Sequence, residues 1–79
     1  MKYRYGRYGT VKLDKKVVNH LMRDIPQIQI AEHMGTYQPA VSAMFRRGRV
    51  KPETLTKLAA ALGVREEVLV HPDSIVDDE

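Results

Sequence analysis

No cysteine occurs among the 79 residues, which excludes disulfide staples and thiolate metal sites. Nowhere do apolar residues run long enough for a membrane span or for the apolar segment of a secretion signal. The expectation is a soluble chain that acts where it is made, in the cytoplasm. No glycine-rich phosphate loop is present, and no serine stands at a recognisable spacing from a base. The histidines, His20, His33 and His71, fall on three separate segments, so neither a metal ion nor a cofactor is expected. His20 and Asp24 lie four apart on one helix and read as an exposed pair. Nothing here suggests an enzyme. The length allows one domain with a small core, to which a second copy can add stability.

Charge is what the chain does have, and it is unevenly placed. The net charge is +3, yet residues 1–51 hold eleven of the thirteen Lys and Arg and only three acids, Asp14, Asp24 and Glu32. Residues 52–79 hold two bases, Lys57 and Arg65, against seven acids. A basic part facing a polyanion, with an acidic part turned away, is the simplest reading of that asymmetry.

The hydrophobic pattern is helical. Asp14 can cap a first helix and Leu13 can staple onto Val18, after which Val17, Val18, Leu21, Met22 and Ile25 keep the 3.6-residue period up to Pro26. A short second helix over 27–34 turns Ile30, Ala31 and Met34 inward and stops at Gly35. A third opens at Pro39 and runs to about Arg47, with Gly48 as its terminator. A fourth opens at Pro52, buries Leu55, Leu58, Ala59 and Leu62, and closes at Gly63-Val64 in Schellman fashion. A last short helix over 65–70 is expected to carry Val68 and Leu69 inward, ahead of an acidic, frayed tail. This divides the chain into a basic, aromatic N-terminal arm or strand (1–12), a helical domain (13–71) and the tail (72–79).

Before the first helix, KYRYGRYGT alternates tyrosines with cations. Two readings of it stay open. As a flexible arm, Lys2, Arg4 and Arg7 reach phosphates or a minor groove. As a strand, Tyr3, Tyr5, Val11 and Leu13 share one side, Lys2, Arg4, Thr10 and Lys12 the other, and Gly6-Arg7 makes a two-residue hairpin turn.

The stretch IAEHMGTYQPAVSAMFRRGR carries the functional signal. Two short helices joined by a glycine-containing turn form a helix-turn-helix unit. Ala31 is small where the helices cross, Gly35 permits the turn, and Val41 and Met44 lock the second helix onto the first. At about 100° per residue, Val41, Met44 and Phe45 form the inner side of the third helix. Pro39, Ser42, Ala43 and Arg46 form the outer side, with Gln38 and Arg47 on the flanks.

With Pro52, Leu55, Leu58-Ala59, Leu62-Gly63-Val64 and Leu69 added, these positions resemble the lambda-repressor-like (Cro/XRE) DNA-binding family over about residues 14–70. GTYQPAVSAMFRRGR is most similar to the recognition region of its Cro members. The later helices depart from Cro, which continues into strands there, and look like those of the phage repressors. The resemblance implies a mainly all-α fold of five helices that binds a palindromic operator in double-stranded DNA as a homodimer. Phage or bacterial origin follows from the same analogy.

The resemblance also assigns roles. Gln38 matches a base-contacting glutamine, suited to adenine. Ser42 and Ala43 match base-reading positions that carry longer polar side chains in Cro, so specificity shifts to Gln38 and Arg46 or to DNA shape. Pro39 shares that face. Arg46 can pair with a guanine edge or touch phosphate. Gln27 and Tyr37 match backbone-contacting residues, although Tyr37 can equally pack over the turn. Arg47, Arg49 and Lys51 follow the recognition helix, where the chain runs along the phosphates.

The competing reading is a protein-interaction module, antitoxin-like or antirepressor-like, whose basic face is incidental. No small-molecule ligand or membrane partner is expected. Val68, Val70, Ile75 and Val76, or the N-terminal stretch, are candidates for the dimer interface.

Overall fold

Asp14 opens the first helix. In the computed structural model, which describes residues 2–6 and 9–76, its carboxylate accepts the backbone N–H groups of Lys16 at 3.1 Å and Val17 at 3.4 Å. Two donors with no partner inside the helix are thereby satisfied. Helix α1 (Lys15–Leu21) ends sooner than its apolar period suggests. Arg23 N–H turns back to the His20 carbonyl, and residues 22–25 make a turn. Pro26 is the cause: it disfavours helical geometry at Ile25, and helix formation cannot continue through it.

Helices α2 (Gln27–Met34) and α3 (Gln38–Arg47) follow as the spacing predicts. Gly35 sits between them at φ 72°, in the left-handed region that side chains resist. From there Thr36 N–H reaches back to the Ala31 carbonyl at 2.9 Å, and Gly35 N–H to that of Glu32 at 3.2 Å. This Schellman closure consumes the orphan carbonyls of α2 within the space of a tight turn. Helix α4 (Pro52–Leu62) closes in the same way, with Val64 N–H on Ala59 and Gly63 N–H on Ala60. A single turn, α5 (Glu66–Leu69), and a 3-10 turn over Pro72–Ser74 complete the helical part.

The fold is therefore mainly helical, with four two-residue strands added. They are β1 (Lys2–Tyr3), β2 (Val11–Lys12), β3 (Arg49–Val50) and β4 (Ile75–Val76). The N-terminal stretch is thus a strand rather than a free arm over these residues, but its partners are distant ones. β1 pairs antiparallel with β4, Lys2 opposite Val76 and Tyr3 opposite Ile75. β2 pairs antiparallel with β3, Val11 opposite Val50 and Lys12 opposite Arg49. Gly6 N–H donates to the Thr10 carbonyl at 2.7 Å, which reverses the chain between the two strands. Arg7, and with it the expected Gly6-Arg7 turn, lies outside the described residues.

Long-range hydrogen bonds lace the two ends of the domain together. Asp14 N–H donates to the Leu69 carbonyl, His71 N–H to that of Lys12, and Arg4 N–H to that of Ser74. The buried Ser74 hydroxyl accepts from Lys12 N–H at 3.3 Å, so a polar group inside the core has its partner. The tail is consequently ordered as far as β4, not frayed from Pro72 onward.

The core gathers one residue or more from nearly every element. Val11, Leu13, Val18, Ile30, Val41, Leu55, Leu58 and Leu69 are each at most 2% exposed. Ala31, 1% exposed, lies between α2 and its neighbours, where its small side chain allows close approach. Two expectations need correction. Val68 is 42% exposed and points outward, because α5 is a single turn whose inward position is taken by Leu69. Tyr5, at 53%, lies outside the packed face that Tyr3, Val11 and Leu13 share. The two-residue alternation breaks there, since β1 ends at Tyr3.

Candidate nucleic-acid interface

Helix α3 has one side in the core and the other free. Val41 and Met44 are buried and Phe45 rests at the core's edge. Gln38, Pro39, Arg46 and Arg47 are exposed, while Ser42 and Ala43 are half-buried between them. Ten residues at about 1.5 Å each give α3 a length of about 15 Å, enough for one pass through a major groove about 12 Å wide.

The N-terminal end of α3 is tied to the N-terminal end of α2 by side chains. Gln38 Nε2 donates to Gln27 Oε1 at 2.5 Å. Each amide keeps its other polar atom, the Gln38 oxygen and the Gln27 NH₂ group. The first can accept from a base and the second can donate to a phosphate oxygen, so the bond fixes two differently disposed groups at one place. Tyr37 is 72% exposed and makes no side-chain cap to α3. It is not packed over the turn, and its ring and hydroxyl stand free beside Gln38. Ile28, next to Gln27, is 61% exposed, an apolar surface residue that the helical period did not single out.

Cations collect at the other end. Arg47 ends α3, Arg49 begins β3, and Lys51 precedes Pro52; all three are exposed. Arg47, Arg49 and Lys51 line one open depression together with Thr10 and Thr54. The Arg49 guanidinium lies so near Gly6 that a β-carbon there would meet it, which brings the N-terminal loop to the rim of this depression. Of the expected accessory residues, Arg4 is exposed and bound through its backbone to Ser74. Lys2 lies in β1, on the β4 side of the molecule, and Arg7 is outside the described residues.

One side chain absent from the sequence-based site holds this end in place. Lys15 Nζ donates to the Arg46 carbonyl at 3.4 Å, and its methylenes lie over Gly48. A cation at a helix C-terminus opposes the negative end of the macrodipole. Gly48, at φ 69°, takes the left-handed conformation and passes its carbonyl to Leu13 N–H at 2.8 Å. The end of α3 is thus fixed onto the N-terminal segment.

His71 Nδ1 accepts from Asp73 N–H at 3.1 Å, closing a turn, and His20 and His33 are exposed. Among the described residues no three His, Asp or Glu side chains gather as a metal site. No helix there is long and apolar enough to cross a membrane. Tyr3 has a pKa above its ordinary value, chiefly because it is partly desolvated and secondarily because Glu66, Glu67 and Tyr5 lie near it. Glu66 and Glu67 of α5 thus lie on the side of Tyr3 in β1. Compared with known proteins, the chain matches no family model, no curated protein and no solved structure.

Proposed function

We propose that this protein is a sequence-specific double-stranded DNA-binding regulator of the lambda-repressor-like kind, binding a palindromic operator as a homodimer in the bacterial cytoplasm. Helix α3 enters the major groove. Gln38 reads a base, with Pro39, Ser42, Ala43 and Arg46 on the groove-facing side. Gln27, Tyr37, Arg47, Arg49 and Lys51 hold phosphates on either side. Regulation on this reading acts by occupancy of the operator.

The observation that carries the reading is the outward side of α3, where Gln38 and Arg46 are exposed, bounded at one end by the Gln27–Gln38 bond and at the other by Arg47, Arg49 and Lys51. A helix that docks into a partner's groove presents an apolar stripe. Here the apolar stripe is already spent on the core.

Dimerisation follows from the half-site logic, because one such helix reads only a few base pairs. Val70 is buried within the subunit, so it is removed from the candidate interface, while Val68 remains exposed. Selection from a random duplex pool tests the proposal. Enrichment of two inverted half-sites about one helical turn apart supports it, and a pool that stays random after several rounds contradicts it.

A further inference from the structure

The antiparallel pairing of β2 with β3 sets Lys12 directly opposite Arg49. Val11 and Val50, the neighbouring pair, face the core, so Lys12 and Arg49 share the outer side. Like charges directly opposite across two strands are destabilising, and among the described residues no acid pairs with either of them. Among the described residues Lys12, Lys15, Lys16, Arg47 and Arg49 form no ion pair. A depression between β2, the start of α1 and the end of α3 is lined by these five cations, and Asp14 is the one acid on its wall. One oxygen of that carboxylate, Asp14 Oδ1, accepts from Lys16 and Val17 N–H. His71 also lines it, its Nδ1 held by Asp73.

This second depression adjoins the first, since Arg47 and Arg49 line both. Positive charge therefore does not stop at Lys51. It continues around the C-terminal end of α3, across the β2–β3 pair, onto the first turn of α1. Concentrated, unpaired positive charge is a cost to a small domain that a polyanion offsets on binding.

We propose that Lys12 and Lys16 extend the phosphate-binding surface, holding with Arg47 and Arg49 the DNA backbone that flanks the half-site read by α3. The proposal rests on the duplex-binding reading above. Its occupant is a sugar-phosphate backbone and not a single anion, since the cations come from four elements, β2, α1, α3 and β3, along a track. Lys15, whose ammonium group also donates to the Arg46 carbonyl, is left unchanged in the test because its loss would disturb the end of α3.

Lys12→Gln/Lys16→Gln removes two exposed charges without touching the core, and an unchanged thermal midpoint confirms that the variant folds. Binding is measured on the wild-type protein and the variant with a selected duplex and a scrambled duplex, each over a range of salt. Each phosphate contact contributes about 0.9 to the slope of log affinity against log salt. The expected result is a slope shallower by about 2 per subunit in the variant, with the ratio of selected to scrambled affinity unchanged. Arg65→Gln, on the acidic side, is expected to leave the slope as it is. A variant slope equal to that of the wild type overturns the extension, as does an equal loss per charge from Arg65→Gln. If the wild-type protein itself binds no duplex, the underlying reading falls instead and the extension with it.

Discussion

Gln27 and Gln38 meet through their side-chain amides, 2.5 Å apart, across the turn of the helix-turn-helix. The two residues open α2 and α3 respectively, so the bond is a brace between the helix that would face phosphate and the helix that would face bases. An unbraced glutamine has several rotatable bonds, and freezing them on binding costs affinity. Holding Gln38 beforehand lowers that cost.

Gln38→Ala is expected to weaken binding to the selected operator by about 1–3 kcal/mol while affecting scrambled DNA much less. Gln27→Ala should weaken both, and also lose part of the discrimination. In a double-mutant cycle the two losses should fall short of additivity by about 0.5–3 kcal/mol, since either substitution alone breaks the brace. Additive losses would show the bond to be without consequence for DNA.

Asp14→Ala is expected to lower stability by about 1 kcal/mol, read as a shift of the denaturation midpoint, because it unsatisfies two N–H groups at the start of α1. Asp14→Asn should keep most of the cap and most of the stability.

Leu58→Ala removes a fully buried side chain from α4 and should cost about 2–5 kcal/mol, which for so small a domain approaches the whole of its stability. Val11→Ala is the more telling change. Val11 is 0% exposed, and if the N-terminal segment belongs to the core as described, its truncation should cost well over the ~0.5 kcal/mol of a surface change. A neutral effect would show that residues 2–12 do not pack on the helices.

The raised pKa of Tyr3 gives a pH dependence whose sign is fixed. The folded state holds the phenol proton more tightly than the unfolded state does. Its contribution is therefore constant below the ordinary tyrosine value near 10 and is lost as pH rises from there through the folded value. Tyr3→Phe cannot ionise, so its stability should fall less steeply than that of the wild-type protein above pH 10. Equal alkaline slopes would show that Tyr3 is neither desolvated nor close to Glu66 and Glu67 in the folded protein.

How much of this could be read from sequence follows from the range of the forces involved. Helices α2, α3 and α4 were legible because their stops are local: Gly35, Gly48 and Gly63 each close a helix on its own last turn. The core side of α4 was legible because Leu55, Leu58, Ala59 and Leu62 recur at the helical period. Strand β3 was not, since two residues carry no periodicity and Arg49-Val50 become a strand only through Val11 and Lys12, far away in the chain. The order of the tail was hidden for the same reason: Ile75 pairs with Tyr3, at the opposite end. Among the proposed site residues, the outer side of α3 followed from geometry alone. The Gln27–Gln38 bond needed the crossing of two helices, and Lys12 and Lys16 joined the basic track only once β2 lay beside β3.

The central claim is that this chain grips duplex DNA through α3 and its flanking cations, and a salt titration of duplex binding tests it most directly. With Arg47, Arg49 and Lys51 on phosphate in each of two subunits, affinity for the selected duplex should fall by at least about 10³ between 50 and 200 mM salt, and by about 10⁵ with Lys12 and Lys16 on phosphate as well. Binding too weak to detect on any duplex at 50 mM salt, or an affinity that does not change with salt, would contradict the account.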